Sequence, residues 1–163
     1  MNDMDNSNCI KLKPELKQYI INELSFFVLL VVCLTCGGTT GFQLATFCQY
    51  AAAFLGLYLL FKLLYIRSME YIITDEQLIY RHGIVRHTTE YMELYRVIDY
   101  QQSQSLMQQF CHLKTITILS GDKTMPELEL IGIKTEMQIV EEIRKRVEYN
   151  KKRRGIYEIT NRF

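Results

Sequence analysis

The sequence predicts an α+β chain: a helical hairpin suited to a membrane, then a bent antiparallel β-sandwich or barrel capped by a C-terminal helix. Three observations carry this. Leu24 to Phe61 is 38 residues long and has no charged side chain, with Glu23 closing it on one side and Lys62 on the other. After Arg67 come six or seven short runs of β-type residues with little helical sequence between them. The chain then changes to a single stretch of helical spacing around residues 137–147. Strands first and one helix last argue for a packed antiparallel sheet rather than an alternating α/β fold.

The uncharged block sets the organisation. One spanning helix needs about 20 apolar residues, so the block is too long for one pass and suits two short ones. Gly37-Gly38-Thr39-Thr40-Gly41 near its middle supplies the reversal. The expected spans are about Tyr19 to Cys36 and Phe42 to Phe61. Lys13 to Glu23 either lies along the membrane interface or forms the first turns of the first span, with Pro14 suited to a first turn. Lys17, Tyr19, Lys62, Tyr65 and Arg67 are the expected interfacial residues, the aromatics as a belt and the cations snorkelling. Basic residues flank the outer ends of the block and none lies in the connection, which places both termini in the cytoplasm of an inner-membrane protein. The domain plan is a polar, disordered tail over 1–12, the hairpin over 13–67, a sheet domain over 68–150 and a basic tail over 151–163.

Within the sheet domain the expected strands are Glu70–Thr74, Gln77–Arg81 and, after a turn at His82-Gly83, Ile84–Arg86. Glu90–Leu94, Val97–Tyr100, Leu113–Leu119 and a strand around Leu128–Ile131 follow. Leu113, Thr115, Thr117 and Leu119 are expected on one face of their strand, with Lys114, Ile116 and Ile118 on the other. Ser103–Phe110 is Gln-rich and fits a short helix or an irregular crossing. Thr135 is the expected N-cap of a final helix of about 15 residues, whose core stripe is Met137, Ile139, Val140, Ile143 and Val147.

The chemistry-bearing residues are sparse. Cys33-x-x-Cys36 has redox spacing, but an apolar span disfavours a thiolate, so both read as small packing residues. His82, His87, Cys111 and His112 lack ligand-pair spacing for a metal. No nucleophile elbow, phosphate loop or metalloprotease motif is present, so neither an enzyme nor a cofactor is expected. Charge is segregated: Met69 to Ile143 carries 6 basic and 12 acidic residues, and Arg144 to Phe163 carries 8 basic and 2 acidic. Arg144, Lys145, Arg146, Lys151, Lys152, Arg153 and Arg154 form a polybasic element that suits anionic lipid head groups, or else a helix end and solvated tail. Stacking aromatics do not interleave with it, so nucleic acid is not the expected partner. Beyond Gly155 the tail regains β character and would suit a sheet edge.

Tyr71-Ile72-Ile73-Thr74 with Leu78, then Arg81-x-Gly83-Ile84, resembles the opening hairpin of the bacterial pleckstrin-homology (PH) domain family of membrane proteins. Leu94-x-Arg96-Val97-Ile98, Gln102-Ser103 before Leu106, the Leu113–Leu119 strand and Leu130-Ile131-Gly132-Ile133 are similar too. The resemblance covers about Met69 to Tyr149 and departs at Phe110-Cys111-His112, where family members often carry glycines. It implies a seven-stranded, strongly bent PH-like sheet capped by a helix, with peptides or head groups bound between strands and helix, and it implies no catalytic chemistry. The function expected is a membrane-anchored cytoplasmic interaction module, an adaptor or assembly subunit binding protein, anionic lipid or itself. The competing expectation is a hairpin that oligomerises into a pore, with Thr35, Thr39, Thr40, Gln43, Thr46 and Gln49 as its polar face. Membrane lipids and a membrane-protein partner or second copy are the expected partners.

Overall fold

The computed structural model describes residues 9–39 and 44–156. The polar start, the centre of the Gly-rich reversal and the β-like end of the tail lie outside these residues, as do Thr40 and Gln43 of the pore reading.

The chain opens with a short strand, β1 (Ile10–Leu12). It pairs antiparallel with β2 (Glu70–Ile73), Leu12 opposite Tyr71. Residues 10–12 therefore belong to the sheet and not to the expected tail. The reason is burial: Leu12 is only 6 % exposed and joins the main core.

Two long helices follow, α1 (Leu16–Gly38) and α2 (Ala45–Ser68). They are antiparallel, as shown by Tyr19 meeting Leu59 near one end and Gly37 meeting Gln49 at the other. Each is long and apolar enough to cross a membrane, and most of each remains exposed. α1 extends past both ends of its expected span, whereas α2 starts at Ala45 rather than Phe42 and runs seven residues past Phe61. Lys17 to Glu23 are the first turns of α1, not a separate interfacial segment, because Gln18, Tyr19 and Glu23 pack inward.

The sheet domain has a four-stranded and a three-stranded sheet. The first, in the order β1-β2-β3-β4, adds β3 (Gln77–His82) and β4 (Thr88–Glu93). A single 3-10 turn at Leu94–Arg96 leads to the second, β5-β6-β7, built from β5 (Val97–Ser103), β6 (Leu113–Ser120) and β7 (Glu127–Lys134). Between β5 and β6 lies α3 (Leu106–Cys111), with Ser105 and Gln108 forming a reciprocal capping box. The last element is α4 (Ile139–Arg153).

Three expectations need correction. Ile84–Arg86 is a loop and not a strand: Gly83 has φ +111°, and a Cβ there would lie 1.9 Å from the Arg86 carbonyl oxygen, so the chain turns sharply on glycine. The alternation along β6 slips at a bulge between Lys114 and Ile116. Leu113 and Lys114 are therefore both buried, with Ile116 and Ile118 beyond them. Finally, α4 starts after Gln138 and not after Thr135, whose hydroxyl accepts from Gln104. Met137 is thereby left 41 % exposed, outside the stripe.

The core lies between the two sheets and α4. Tyr71, Ile73, Leu78, Met92, Leu94, Ile116, Ile118 and Leu130 meet Ile139, Ile143 and Val147 of α4. Each aliphatic side chain fully buried there contributes about 1.5–3 kcal/mol relative to exposure. Asn150 extends the α4 stripe with a polar group, which donates to the Asp75 and Arg146 carbonyls at 2.6 and 2.8 Å.

Strand direction fixes which end is which. β2 leaves α2 after Met69 and runs away from the hairpin, β3 runs back toward it, and β4 leaves again. The β3–β4 loop therefore lies at the hairpin end of the sheet and the β2–β3 turn at the far end.

Candidate functional site

Two features of this fold bear on function: a polar seam that holds the hairpin to the sheet domain, and an open groove at the other side of the second sheet.

The seam is built from the first turns of α1. Glu15 donates its backbone N–H to the Gly132 carbonyl at 3.1 Å, and its carboxylate pairs with Lys134 at 3.2 Å. Gly132 has φ +65°, and a Cβ there would lie 2.7 Å from the Gln18 Cβ. Glycine is thus required both by the backbone and by the close approach of α1. Gln18, only 4 % exposed, accepts from Gln108 of α3 at 2.9 Å and donates to Asn22 at 2.7 Å. Above it the Tyr19 hydroxyl donates to the Leu59 carbonyl at 2.8 Å, and Lys62 faces Glu23 at 3.8 Å. At the exit of α2, the Ser68 hydroxyl accepts from the Gly83 N–H at 3.2 Å. Tyr19, Ile66 and Met69 form a second apolar cluster with Tyr65, Tyr80 and Ile131 on its border. A buried polar layer with partners fixes geometry as well as packing.

Of the expected interfacial residues, Lys17 and Arg67 are exposed. Tyr19 is taken into the hairpin interface, Lys62 into its pair with Glu23, and Tyr65 lies edge-on to His82 at 6.4 Å.

The groove runs between β5 and α4 and encloses about 500 Å³. Its strand wall is Val97 to Tyr100, and Val140 and Val147 of α4 lie opposite. Ile98 is 67 % exposed. Arg144, Glu148, Lys151 and Lys152 line the rim together with Asp99. β5 is the outer strand of its sheet and runs along the groove, where the Tyr100 N–H donates to the Asp99 carboxylate at 2.8 Å.

The basic element expected from the sequence is divided by the fold. Arg146 is structural: its side chain is 10 % exposed, donates to the Ile73 carbonyl at 3.0 Å and pairs with Glu142 and Asp75 at 3.3 and 3.5 Å. Arg153 pairs with Glu76 at 2.6 Å, and Arg154 lies over the Tyr95 ring at 4.0 Å. Arg144 pairs along the helix with Glu148 at 3.3 Å. These contacts to Asp75 and Glu76 put the C-terminal half of α4 at the β2–β3 turn, the end remote from the hairpin. Sequence spacing showed one basic run; it carried no signal for which cations the β2–β3 turn would absorb.

Metal and redox chemistry gain no support from the placement. Among the described residues no three His, Cys, Asp or Glu side chains are grouped to hold a metal ion. His82 stacks on Tyr80 at 4.5 Å, while His112 caps α3 in the left-handed conformation. The five cysteines are free thiols. The groups that do depart from ordinary titration are structural. Burial lowers the Lys114 ammonium, which reaches the Thr135 carbonyl at 3.2 Å, and raises the phenols of Tyr71 and Tyr80.

No curated protein and no solved structure matches the chain. The family model described as Bacterial PH domain matches residues 24–147, taking in most of the hairpin, strands β2 to β7 and the greater part of α4. With three quarters of its length matched, and six of the seven expected strands and the closing helix in place, the chain belongs to the bacterial PH domain family.

Proposed function

We propose that the chain is a membrane-anchored interaction module, in which α1 and α2 cross the inner membrane and the sheet domain holds a partner on the cytoplasmic side. The observation that carries this is the β5–α4 groove: the outer strand of the second sheet beside an aliphatic floor, lined by both signs of charge. An extended segment of a partner protein suits such a site. Its backbone adds to β5, alternate side chains enter the groove, and the rim charges set direction.

The seam supports it further. An anchor whose first helix bonds directly to β7 and α3 presents the groove at a fixed height and angle. The pore reading lacks comparable support. Gln49 donates to the Gly37 carbonyl within the hairpin, and the Thr35 hydroxyl bonds to its own helix at Val32.

Site-specific photocrosslinking in native membranes tests the proposal. A crosslinker at Ile98 or Lys152 should yield one discrete adduct, lost when the groove is blocked by Val140→Arg. Equal adducts from Ile98 and from Tyr91, on the opposite sheet, would overturn it.

A further inference from the structure

Helix α3 is built inside out. Gln108 is 6 % exposed, whereas Leu106, Met107 and Phe110 are 74 %, 50 % and 81 % exposed. The three apolar residues are spaced i, i+1, i+4 and share one side of the helix. Gln108 occupies the other side, donating to Gln18 and to the Thr115 hydroxyl at 2.9 Å each. A short helix that buries its amide and exposes a phenylalanine is the arrangement that asks for an explanation, far more than a single exposed leucine would.

Its height gives the explanation. Gln18 precedes Glu23 by five residues, about 7.5 Å along α1. The Glu23–Lys62 pair is the last charged layer before the uncharged block. The head-group region on each side of a bilayer is about 5–8 Å deep. Helix α3 therefore lies beside α1 at head-group depth.

A second apolar point occupies the same end. Val85, at the tip of the β3–β4 loop, is 94 % exposed. Its loop is bonded through Gly83 to Ser68, six residues or about 9 Å beyond Lys62 along α2, which sets the base of the loop at the outer edge of the head-group layer. Arg86, His87 and Arg67 are exposed around it, and Lys17 is exposed on the first turn of α1, beside α3. Apolar tips among cations fit the boundary between anionic head groups and acyl chains.

We propose that α3 and the Val85 loop insert into the head-group layer of the leaflet from which the hairpin emerges, so that the domain docks on the bilayer at two points besides its anchor. This rests on the anchored reading above. The occupant is the lipid leaflet, because both elements are bonded to the hairpin, α3 through Gln108 to Gln18 and the loop through Gly83 to Ser68, and share its end of the domain. Docking fixes the domain against rotation about the α1–α2 axis, and it leaves the far end of α4 directed into the cytoplasm.

The chain has no tryptophan, so one introduced indole reports its own surroundings. The full chain carrying Phe110→Trp, Val85→Trp, Phe54→Trp or Tyr149→Trp is reconstituted in phosphatidylcholine–phosphatidylglycerol vesicles, with lipids brominated near the head group or deep in the acyl chain. Phe54→Trp, in the middle of α2, should be quenched by the deep label. Phe110→Trp and Val85→Trp should emit to the blue of Tyr149→Trp, and lose about two-fold more emission than it does to the shallow label, as interfacial side chains do. If both match Tyr149→Trp while Phe54→Trp is quenched, the docking proposal falls and the anchor stands. If Phe54→Trp is also unquenched, the anchor reading falls with it. A blue-shifted Phe110→Trp that no lipid quenches, and that reverts on dilution of protein in lipid, would assign the face to a second copy and overturn the proposal.

Discussion

Gly132→Ala tests whether the hairpin and the sheet domain are held as one unit. The substitution adds one methyl group at a backbone with φ +65°, 2.7 Å from the Gln18 Cβ. A non-glycine residue in the left-handed region costs about 1–2 kcal/mol. Forcing a methyl into a closed contact costs about 1–3 kcal/mol more. The sum, about 2–5 kcal/mol, is a large share of the about 5–15 kcal/mol that ordinarily separates folded from unfolded domains. For a sheet domain of this size it lowers the unfolding midpoint by about 10 °C or more. The assay is thermal unfolding in mild detergent followed by near-ultraviolet tyrosine dichroism, to which the stacked Tyr71–Tyr80 pair of the sheet domain contributes. Adding Gln18→Gly separates the two terms. With no Cβ on α1 the overpacking vanishes, and Gly132→Ala should then cost only the about 1–2 kcal/mol of its backbone. A Gly132→Ala protein within about 0.5 kcal/mol of the parent, or a penalty unchanged by Gln18→Gly, would refute the seam as described.

Two cations of the basic run, Arg144 and Arg146, should behave differently. Arg146→Ala removes a largely buried cation with a carbonyl and two carboxylate partners and should cost about 1.5–3 kcal/mol in urea unfolding, whereas Arg144→Ala, in an exposed helical pair, should stay within about 0.5 kcal/mol; equal effects would argue against the far-end clamp. Tyr71 supplies an alkaline signature. Burial raises its phenol from 10.0 to about 12, so the folded state holds the proton more tightly, and the resulting stability is complete below pH 10 and lost as pH climbs through about 12. The loss should approach about 3 kcal/mol. Tyr71→Phe should flatten this part of the stability profile, leaving the residual slope of Tyr80; an unchanged profile would exclude Tyr71 as its source.

Much of the fold was legible in the sequence because its signals are periodic. The uncharged block, the alternating runs and the stripe at Ile139, Ile143 and Val147 each repeat with the spacing of their element. What escaped was decided at a distance. Ile10 and Leu12 are too short a run to announce a strand, and they become one only because β2 offers an open edge after 57 intervening residues. The β6 alternation broke at a bulge that places two successive residues, Leu113 and Lys114, inside. Ile84-Val85-Arg86 has strand composition, yet Gly83 forces the turn. For the candidate site, the sequence showed cations but not their partners. Asp75 and Glu76, read as punctuation between strands, turn out to hold Arg146 and Arg153. The groove was invisible because its walls, β5 and α4, are about 40 residues apart in the chain.

The fold sorts the surface by height along one axis, and this bears on how the two ends would be used. At the hairpin end Val85, Leu106, Met107 and Phe110 are exposed among Lys17, Arg67, Arg86 and His87. At the far end Lys145, Lys152, Arg153 and Arg154 are exposed, countered by Asp75, Glu76 and Glu148. The strands between are short: β2 is four residues, a rise of about 13 Å. A Debye length at physiological salt is about 8 Å, so the cations of the far end feel little of the leaflet's charge across that distance. Their field is felt instead by whatever approaches the mouth of the β5–α4 groove, where Arg144, Lys151 and Lys152 stand. A polybasic run that in sequence looks like a membrane tether is therefore better placed, under the anchored reading, to steer an acidic partner segment toward the β5 edge.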